Sequence, residues 1–502
     1  MDTPNAKKRQ YNVVVVMSDE QRVDTLGCYG NEIARTPHID ALAADGVRFD
    51  SCYTPYPLCC PSRASLWTGM MPHNHHVLAN WFHIRPDLRE GGFVQSFADH
   101  GYHTAYTGKW HVPGTTPERL GYRATAAIPD VLEGRARGRY ISEYRAYLES
   151  LGYPLVAANI ENLTPRDLEK TTSNGRVLCG TSEVRLEHYI ETWQTDRFLE
   201  QLEECPDDKP FFAVCSFNAP HFPMIVPEPY DRLIDPADVV LPPNFGTGLE
   251  GKPAELVSSK YYQHSKDLGE SEWRSLIAHY WGFCSLVDEQ VGKIVAWLKG
   301  NGKYDDTIIV YLSDHGDMIG SHGLNLKGHE MHYEETNRVP LVLVHPDLKG
   351  DQHKAMFISL HDLMPTLADL CGVKADRHVD GDSFAQSLLS AGDDHFREYV
   401  IAESFRKERD GSKPYENPEE YTPEAWRPMN ISIRTDRDKY VFHGEDSDEY
   451  YDLRTDPYEN RNLLYSDAPD ERLELLRRTI LKELDTAGTN LTEIVRARMA
   501  AK

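Results

Sequence analysis

From Asn12 to Met17 the chain reads NVVVVM, a continuous β-branched run that ends at Ser18, Asp19 and Glu20. A stretch so short and so apolar, without alternation, fits a strand buried on both faces of a parallel sheet, with polar groups at its C-terminal tip. The signature returns at Pro210–Phe217 and at Thr307–Leu312, the latter running into Ser313-Asp314-His315-Gly316. Val47–Phe49, Gly101–Thr107 (ending at Gly108 and Lys109) and Val339–Val344 read as further strands. Between them the spacing becomes helical. Thr36 and Pro37 look like an N-cap and first helical residue, with Gly46 as the stop. Cys59–Gly69 reads as a loop running into a helix, with Pro61 near its first turn. Trp273, Leu276, Ile277 and Tyr280 give Glu270–Lys299 a helical face, and Leu360–Leu370 follows as another helix. Strands alternating with helices, with polar residues at strand C-termini, predict a doubly wound α/β fold of mixed or mostly parallel sheet, with its site along one edge. After about Asp394 the texture changes. Arg406–Pro428 is polar and loop-like, Ile431–His443 alternates as strands, and Asp470–Ala500 is helical. The expected organisation is an α/β domain over 10–394 and a smaller α+β domain, antiparallel sheet plus helix, over 395–502.

Charge and composition exclude some partners. Lys and Arg number 54 against 79 Asp and Glu, a formal net charge of −25. Such a field argues against nucleic acid or an anionic membrane, whose attraction needs a basic surface. A small anionic substrate stays compatible, because local cations dominate at short range. No segment approaches the roughly 20 apolar residues needed to span a bilayer, and Val13–Met17 is too short for a signal-peptide core. Nine cysteines without framework spacing fit a reducing compartment. The expectation is a soluble cytoplasmic protein, with homo-oligomerisation left open.

Several strings carry chemistry. Cys59-Cys60-Pro61-Ser62-Arg63 to Thr68-Gly69 puts a thiol and a guanidinium at a helix start, where unpaired N–H groups and the positive dipole end favour anions. Asp19 and Glu20 at one strand tip, with Asp314 and His315 at another, offer four ligands for a divalent cation. Either pair alone reads as solvated groups at a strand end; both together point to metal. Three carboxylates favour Ca²⁺, and the imidazole leaves Mn²⁺ or Zn²⁺ open. Gly108-Lys109-Trp110-His111, Asn218-Ala219-Pro220-His221-Phe222-Pro223 and Lys327 read, taken singly, as polar loops.

Taken together, these strings resemble the type I, formylglycine-dependent sulfatases of the alkaline phosphatase-like superfamily. The match to C-x-P-S-R followed by T-G places Cys60 at x. Similarity runs from about Asn12 to about Leu464, the later part through IRTDRDKYVFHGEDSDEYYDLRTDPYENRNL. It implies an alkaline phosphatase-like fold in which a formylglycine-generating maturation enzyme converts Cys59 to formylglycine. The hydrated aldehyde would attack sulfur with one hydroxyl and expel sulfate with the other, which a serine could not do. Asp19, Glu20, Cys59, Asp314 and His315 would surround the metal, although the family more often has Asp, Asn or Gln at the position of Glu20. Lys109 would bind sulfate and formylglycine, and His111 would contact the diol as a base. His221 would protonate the leaving oxygen, and Lys327 would bridge sulfate and ester oxygens. Arg63, Lys109 and Lys327 would form a cationic pocket preorganised for the transition state.

The implied activity is a sulfuric ester hydrolase acting on a small sulfated substrate, a saccharide or an aryl sulfate. A phosphonate monoester or phosphodiester hydrolase of the same fold is the enzymatic alternative, and a non-catalytic binding protein the alternative of another class. Asn80, Trp81, His73, His75, His76, His322, His329 and His332 lie near the motifs and are candidates to line a substrate pocket.

Overall fold

The computed structural model describes residues 10–128, 143–153, 178–375, 377–390, 395–405, 429–465, 471–486 and 491–501. The expected loop at Arg406–Pro428 lies outside these residues.

Eight strands form the central sheet: β1 (Asn12–Ser18), β2 (Val47–Tyr53), β3 (His103–Lys109), β4 (Ala124–Ile128), β6 (Phe211–Ser216), β8 (Thr307–Ser313), β9 (Leu341–Val344) and β10 (Gln352–Ser359). Their order is β10-β2-β9-β8-β1-β6-β3-β4. All neighbours pair in parallel except at β9, which runs antiparallel to both β2 and β8. This is a doubly wound, mostly parallel sheet with one reversed strand. Val13, Val15 and Met17 enter one apolar cluster and Val14 and Val16 the other, so β1 is covered on both faces, as its unbroken β-branched run requires. β5 (Cys179–Thr181) and β7 (Met224–Val226) form a separate parallel pair.

Register explains where the site lies. Ser18 pairs with Ser313, Met17 with Ser216, and Gly108 with Ser216. The C-terminal tips of β8, β1, β6 and β3 are therefore level and adjacent. Everything that follows these strands in sequence emerges at one edge. Gly108 makes this possible: its φ is +97°, and a Cβ there would come within 2.0 Å of the Ser216 carbonyl oxygen. The helix Glu270–Gly300 packs one face of the sheet. Its Tyr280 hydroxyl donates to the Glu20 carbonyl (2.6 Å) and accepts from the Arg22 amide (2.9 Å), which ties the segment after β1 to that face.

A four-stranded antiparallel sheet follows: β11 (Tyr399–Phe405), β12 (Met429–Thr435), β13 (Asp438–His443) and β14 (Glu449–Asp452), in that order. The helices Glu471–Thr486 and Leu491–Ala501 follow it, and Leu473, Ile480 and Val495 join Ile431, Ile433 and Phe442 in one apolar cluster. The same cluster holds Tyr56, Leu78, Ala79 and Phe82. The Tyr56 hydroxyl donates to the carbonyls of Leu78 (2.9 Å) and Phe405 (3.1 Å). The second sheet thus braces the segment that leads from β2 into the Cys59 helix.

Candidate active site

The helix over Cys59–Thr68 begins at the cysteine itself rather than after a leading loop, and ends at Gly69 in the left-handed conformation. Leu58, at the N-cap position, offers no side-chain cap. The Cys60 amide instead donates to Asn80 Oδ1 (3.1 Å), a cap supplied from 20 residues away. Ser62 Oγ donates to the Asp314 carbonyl (2.6 Å), joining this helix to the tip of β8.

Asp19, Cys59, Asp314 and His315 converge: one ligand atom from each lies within 4.8 Å of the others, and all four are buried. His315 Nδ1 is 2.9 Å from the Gly316 carbonyl, to which it donates, so Nε2 carries the lone pair. That Nε2 lies 3.1 Å from Cys59 Sγ and 3.7 Å from both Asp19 Oδ1 and Asp314 Oδ1. Two carboxylates, an unprotonated imidazole nitrogen and the side chain of residue 59 fit a divalent cation. Without one they are a buried acidic cluster with two side-chain cations beside it.

Those cations are Arg63 and Lys109. Arg63 is fully buried; its Nε donates to Asp314 Oδ2 (2.7 Å) and Nη1 to Ser216 Oγ and the Lys109 carbonyl (both 2.8 Å). Lys109 Nζ donates to Asp19 Oδ2. Burial alone would raise Asp19, but Lys109, His221, Arg63 and His315 outweigh it and hold its carboxyl well below the usual range. Burial pushes the Cys59 thiol up despite Lys109, so an unconverted Cys59 is a protonated thiol and a poor nucleophile at neutral pH.

Glu20 departs from the expected ligand set. Its φ is +68°, a left-handed conformation uncommon outside glycine, and its carboxylate turns away from the other four ligands. Oε2 lies 2.6 Å from Lys327 Nζ and 3.3 Å from His221 Nε2. His221 Nδ1 donates to the Phe222 carbonyl (2.7 Å), so Nε2 accepts from Lys327 Nζ (2.9 Å). Burial and Lys327 hold His221 well below its ordinary value, and it is neutral at pH 7. Burial opposes the charge on Lys327, but Glu20, Cys59 and Asp19 hold its pKa well above the usual lysine value. Burial raises the Glu20 carboxyl well above its usual value despite Lys327, so protons are held on both sides of the neutral His221. Burial followed by Lys109 and Arg63 depresses His111 well below its ordinary value. Its φ of +56° is a second left-handed non-glycine conformation at this edge.

Three groups here went unnoticed in the sequence. Ser216, at the tip of β6, accepts from Arg63. Asp317 Oδ1 accepts from the amides of Ile319 (2.6 Å) and Leu326 (3.0 Å), shaping the loop that delivers Lys327. Glu191 Oε1 accepts from the Ala219 amide (3.0 Å), anchoring the loop of His221. Only Ser216 carries a sequence signal, as a polar residue at a strand tip.

The histidine candidates divide. His75 Nε2 meets Ser65 Oγ (2.9 Å), His73 pairs with Glu403 (2.9 Å), His332 bridges Ser432 (3.0 Å) and Ser404 (2.8 Å), and the His322 amide donates to the Asn244 carbonyl (3.2 Å). These are packing contacts. Asn80, Trp81 and His329 line a cavity next to the Cys59 helix.

Comparison with known proteins converges on one family. The profile described as Sulfatase matches residues 11–373, and that of the N-sulphoglucosamine sulphohydrolase C-terminal region matches 320–486. An arylsulfatase of Clostridium perfringens is 29% identical over 506 residues, covering 96% of each chain. An N-acetylglucosamine-6-O-sulfatase of Bacteroides thetaiotaomicron is 26% identical, covering 93% of this chain and 86% of its own. Among solved structures, a phosphonate monoester hydrolase from Silicibacter pomeroyi superposes with a TM-score of 0.77 at 25% identity, covering 95% and 96%.

Proposed function

The chain belongs to the sulfatase family and hydrolyses sulfate esters; from that premise we propose that it acts through residue 59 after conversion to formylglycine. The observation that carries this reading is the buried Asp19–Cys59–Asp314–His315 cluster, in which the side chain of residue 59 faces three metal-type donors and Arg63 stands behind them.

In this reading, the formylglycine hydrate supplies a nucleophilic hydroxyl, and a divalent cation held by Asp19, Asp314, His315 and residue 59 supplies Lewis acidity toward the sulfate oxygens. With Glu20 committed to Lys327, the protein set is two carboxylates and one imidazole. That set suits Mn²⁺ or Zn²⁺ as well as Ca²⁺, which the count of three carboxylates had favoured. The remaining work is done by the chain's own groups. Lys109 and Lys327 bind the tetrahedral anion. Arg63 fixes the Asp314 carboxylate and neutralises the cluster. Lys327 holds a proton against His221 Nε2, and the pair passes it to the leaving alcohol oxygen as the S–O bond breaks. Neutral His111 stands ready to take a proton from the hydrate when sulfate is expelled. The maturation step calls on a formylglycine-generating enzyme as partner.

Release of inorganic sulfate from aryl and saccharide sulfates, measured before and after chelation and after adding back single metals, tests this reading. Loss on chelation with recovery by one divalent ion is expected; full turnover in metal-free enzyme contradicts it. A second reading rests on the fold shared with the phosphonate monoester hydrolase: the same centre would cleave phosphonate monoesters. Matched aryl sulfate and aryl phosphonate esters, assayed side by side, rank the two.

A further inference from the structure

Asp19 belongs to the converging cluster and His221 to the pair it forms with Lys327. A single residue, Ala219, joins the two backbones that carry them. Its carbonyl accepts from the Asp19 amide (3.2 Å), and it lies two residues before His221, whose own amide donates back to the Asn218 carbonyl (3.0 Å). The Phe217 amide donates to the Met17 carbonyl (2.8 Å). The segment leaving β6 is thus laced to the tip of β1 at residues 217 and 219, and a displacement of Ala219 moves both Asp19 and His221.

The other backbone group of Ala219 is taken by Glu191. The Ala219 amide donates to Glu191 Oε1 (3.0 Å), and the Asn218 amide acts on the same carboxyl. Glu191 stands in the first turn of the helix Ile190–Glu203, which packs against β3 and β6. It is 0% exposed, its Oε2 has no hydrogen-bond partner, and the groups that act on its charge are backbone amides rather than cations. A carboxyl buried without a cation is costly to keep. An apolar side chain would fill the same space at lower cost, but it could not receive the Ala219 amide, which would then be a buried donor without an acceptor.

Resting on the sulfatase reading, we propose that Glu191 is a positioning residue for the reaction: by fixing Ala219 it sets both the backbone of the metal-site ligand Asp19 and the loop that presents His221. It touches neither substrate nor reacting atoms. Cation binding and proton delivery to the leaving oxygen share this one anchor, so loosening it impairs both in enzyme that remains folded.

The test uses enzyme with formylglycine verified at position 59 and two aryl sulfates of similar shape. The phenolate of 4-nitrophenyl sulfate leaves without a proton, whereas the more basic oxygen of 4-methylphenyl sulfate needs one. Glu191→Ala should lower kcat for the 4-methylphenyl ester by about tenfold or more and for the 4-nitrophenyl ester by clearly less, with KM nearly unchanged. It should also raise the Kd of the divalent ion that best restores chelated enzyme, chosen from Ca²⁺, Mn²⁺ and Zn²⁺, by about tenfold in calorimetric titration. Glu191→Gln, which keeps an acceptor oxygen for the Ala219 amide, should hold both readouts within about twofold of the native values. Glu191→Asp, which withdraws the carboxyl by one methylene, should move both in the direction of Glu191→Ala, and it decides the matter if Glu191→Ala does not fold. Glu449→Gln, which strikes the second sheet instead, should move neither. A kcat ratio or an ion affinity unchanged in Glu191→Ala and Glu191→Asp, impairment in Glu191→Gln equal to that in Glu191→Ala, or equal shifts in Glu449→Gln overturns the positioning role while leaving the sulfatase reading standing. A native chain that hydrolyses no sulfate ester overturns that reading and the inference that rests on it.

Discussion

Buried charge occurs in two places in this molecule, and the two are built differently. Where the second sheet meets the loops around residues 250 and 333, Glu449 and Glu334 are each matched by several partners. Glu449 accepts from Tyr333 (2.7 Å) and His443 (2.8 Å), with Lys252 at 3.7 Å. Glu334 has Lys439 at 3.3 Å, Arg434 at 3.4 Å and the Tyr53 hydroxyl at 2.8 Å. At the edge of the first sheet, Asp19, Cys59, Asp314 and His315 crowd together with donors turned toward one point. Saturated networks rigidify; clusters of like ligands hold together only with a further charge among them. The contrast teaches that burial and ionisability alone do not mark a site. What marks it is convergence without mutual satisfaction.

The largest effect should come from breaking the second arrangement. Cys59→Ala should lower turnover of sulfate esters by at least about 10³-fold while leaving the melting temperature nearly unchanged, because the thiol pairs with no cation. Retained hydrolysis would remove residue 59 from the chemistry. The opposite pattern is expected at the saturated network. Glu449→Gln should cost about 3–5 kcal/mol of stability, because Lys252 and His443 lose their buried partner. The enzyme that remains folded should keep its kcat/KM. Chemical denaturation alongside single-substrate kinetics separates the two, and an activity loss without destabilisation would contradict the division.

A smaller effect concerns Glu191, which belongs to neither arrangement. Burial raises its carboxyl to about 8. Its folded pKa therefore lies above the unfolded value, and the native state binds the extra proton between about pH 4.5 and 8. That contribution to stability is full below about pH 4.5 and is lost as the pH rises through about 8. Glu191→Gln keeps an acceptor for the Ala219 amide and removes the titration. Its stability relative to the native chain should improve by up to about 4 kcal/mol between pH 5 and pH 9. Melting curves that stay parallel at both pH values would contradict the protonated state.

Much of this was legible in the sequence, for physical reasons. The short apolar runs of β1, β6 and β8 read as strands buried on both sides, and the acids after β1 and β8 fall at level tips because parallel strands share one direction. The reversal of β9 was not legible: LVLV is buried along its whole length and carries no sign of direction. β10 escaped notice because its first half, QHKA, alternates exposed and covered residues before turning apolar. Glu20 reads as a ligand from its neighbour Asp19, yet a left-handed backbone turns its side chain toward Lys327. Asp317 and Glu191 act on amides that only the folded chain brings to them. Of the five histidine candidates besides His329, His73, His75, His322 and His332 were indistinguishable from pocket-lining groups until Glu403, Ser65, the Asn244 carbonyl and Ser432 were seen beside them.

The central claim is that residue 59 works as an aldehyde hydrate among Asp19, Asp314 and His315. Peptide mass spectrometry of preparations matured to different extents, set against sulfate released per molecule, tests it most directly. Turnover should rise in proportion to the fraction of Cys59 converted to formylglycine and extrapolate to zero where only thiol is found. Full turnover from enzyme carrying an unmodified Cys59 would contradict it.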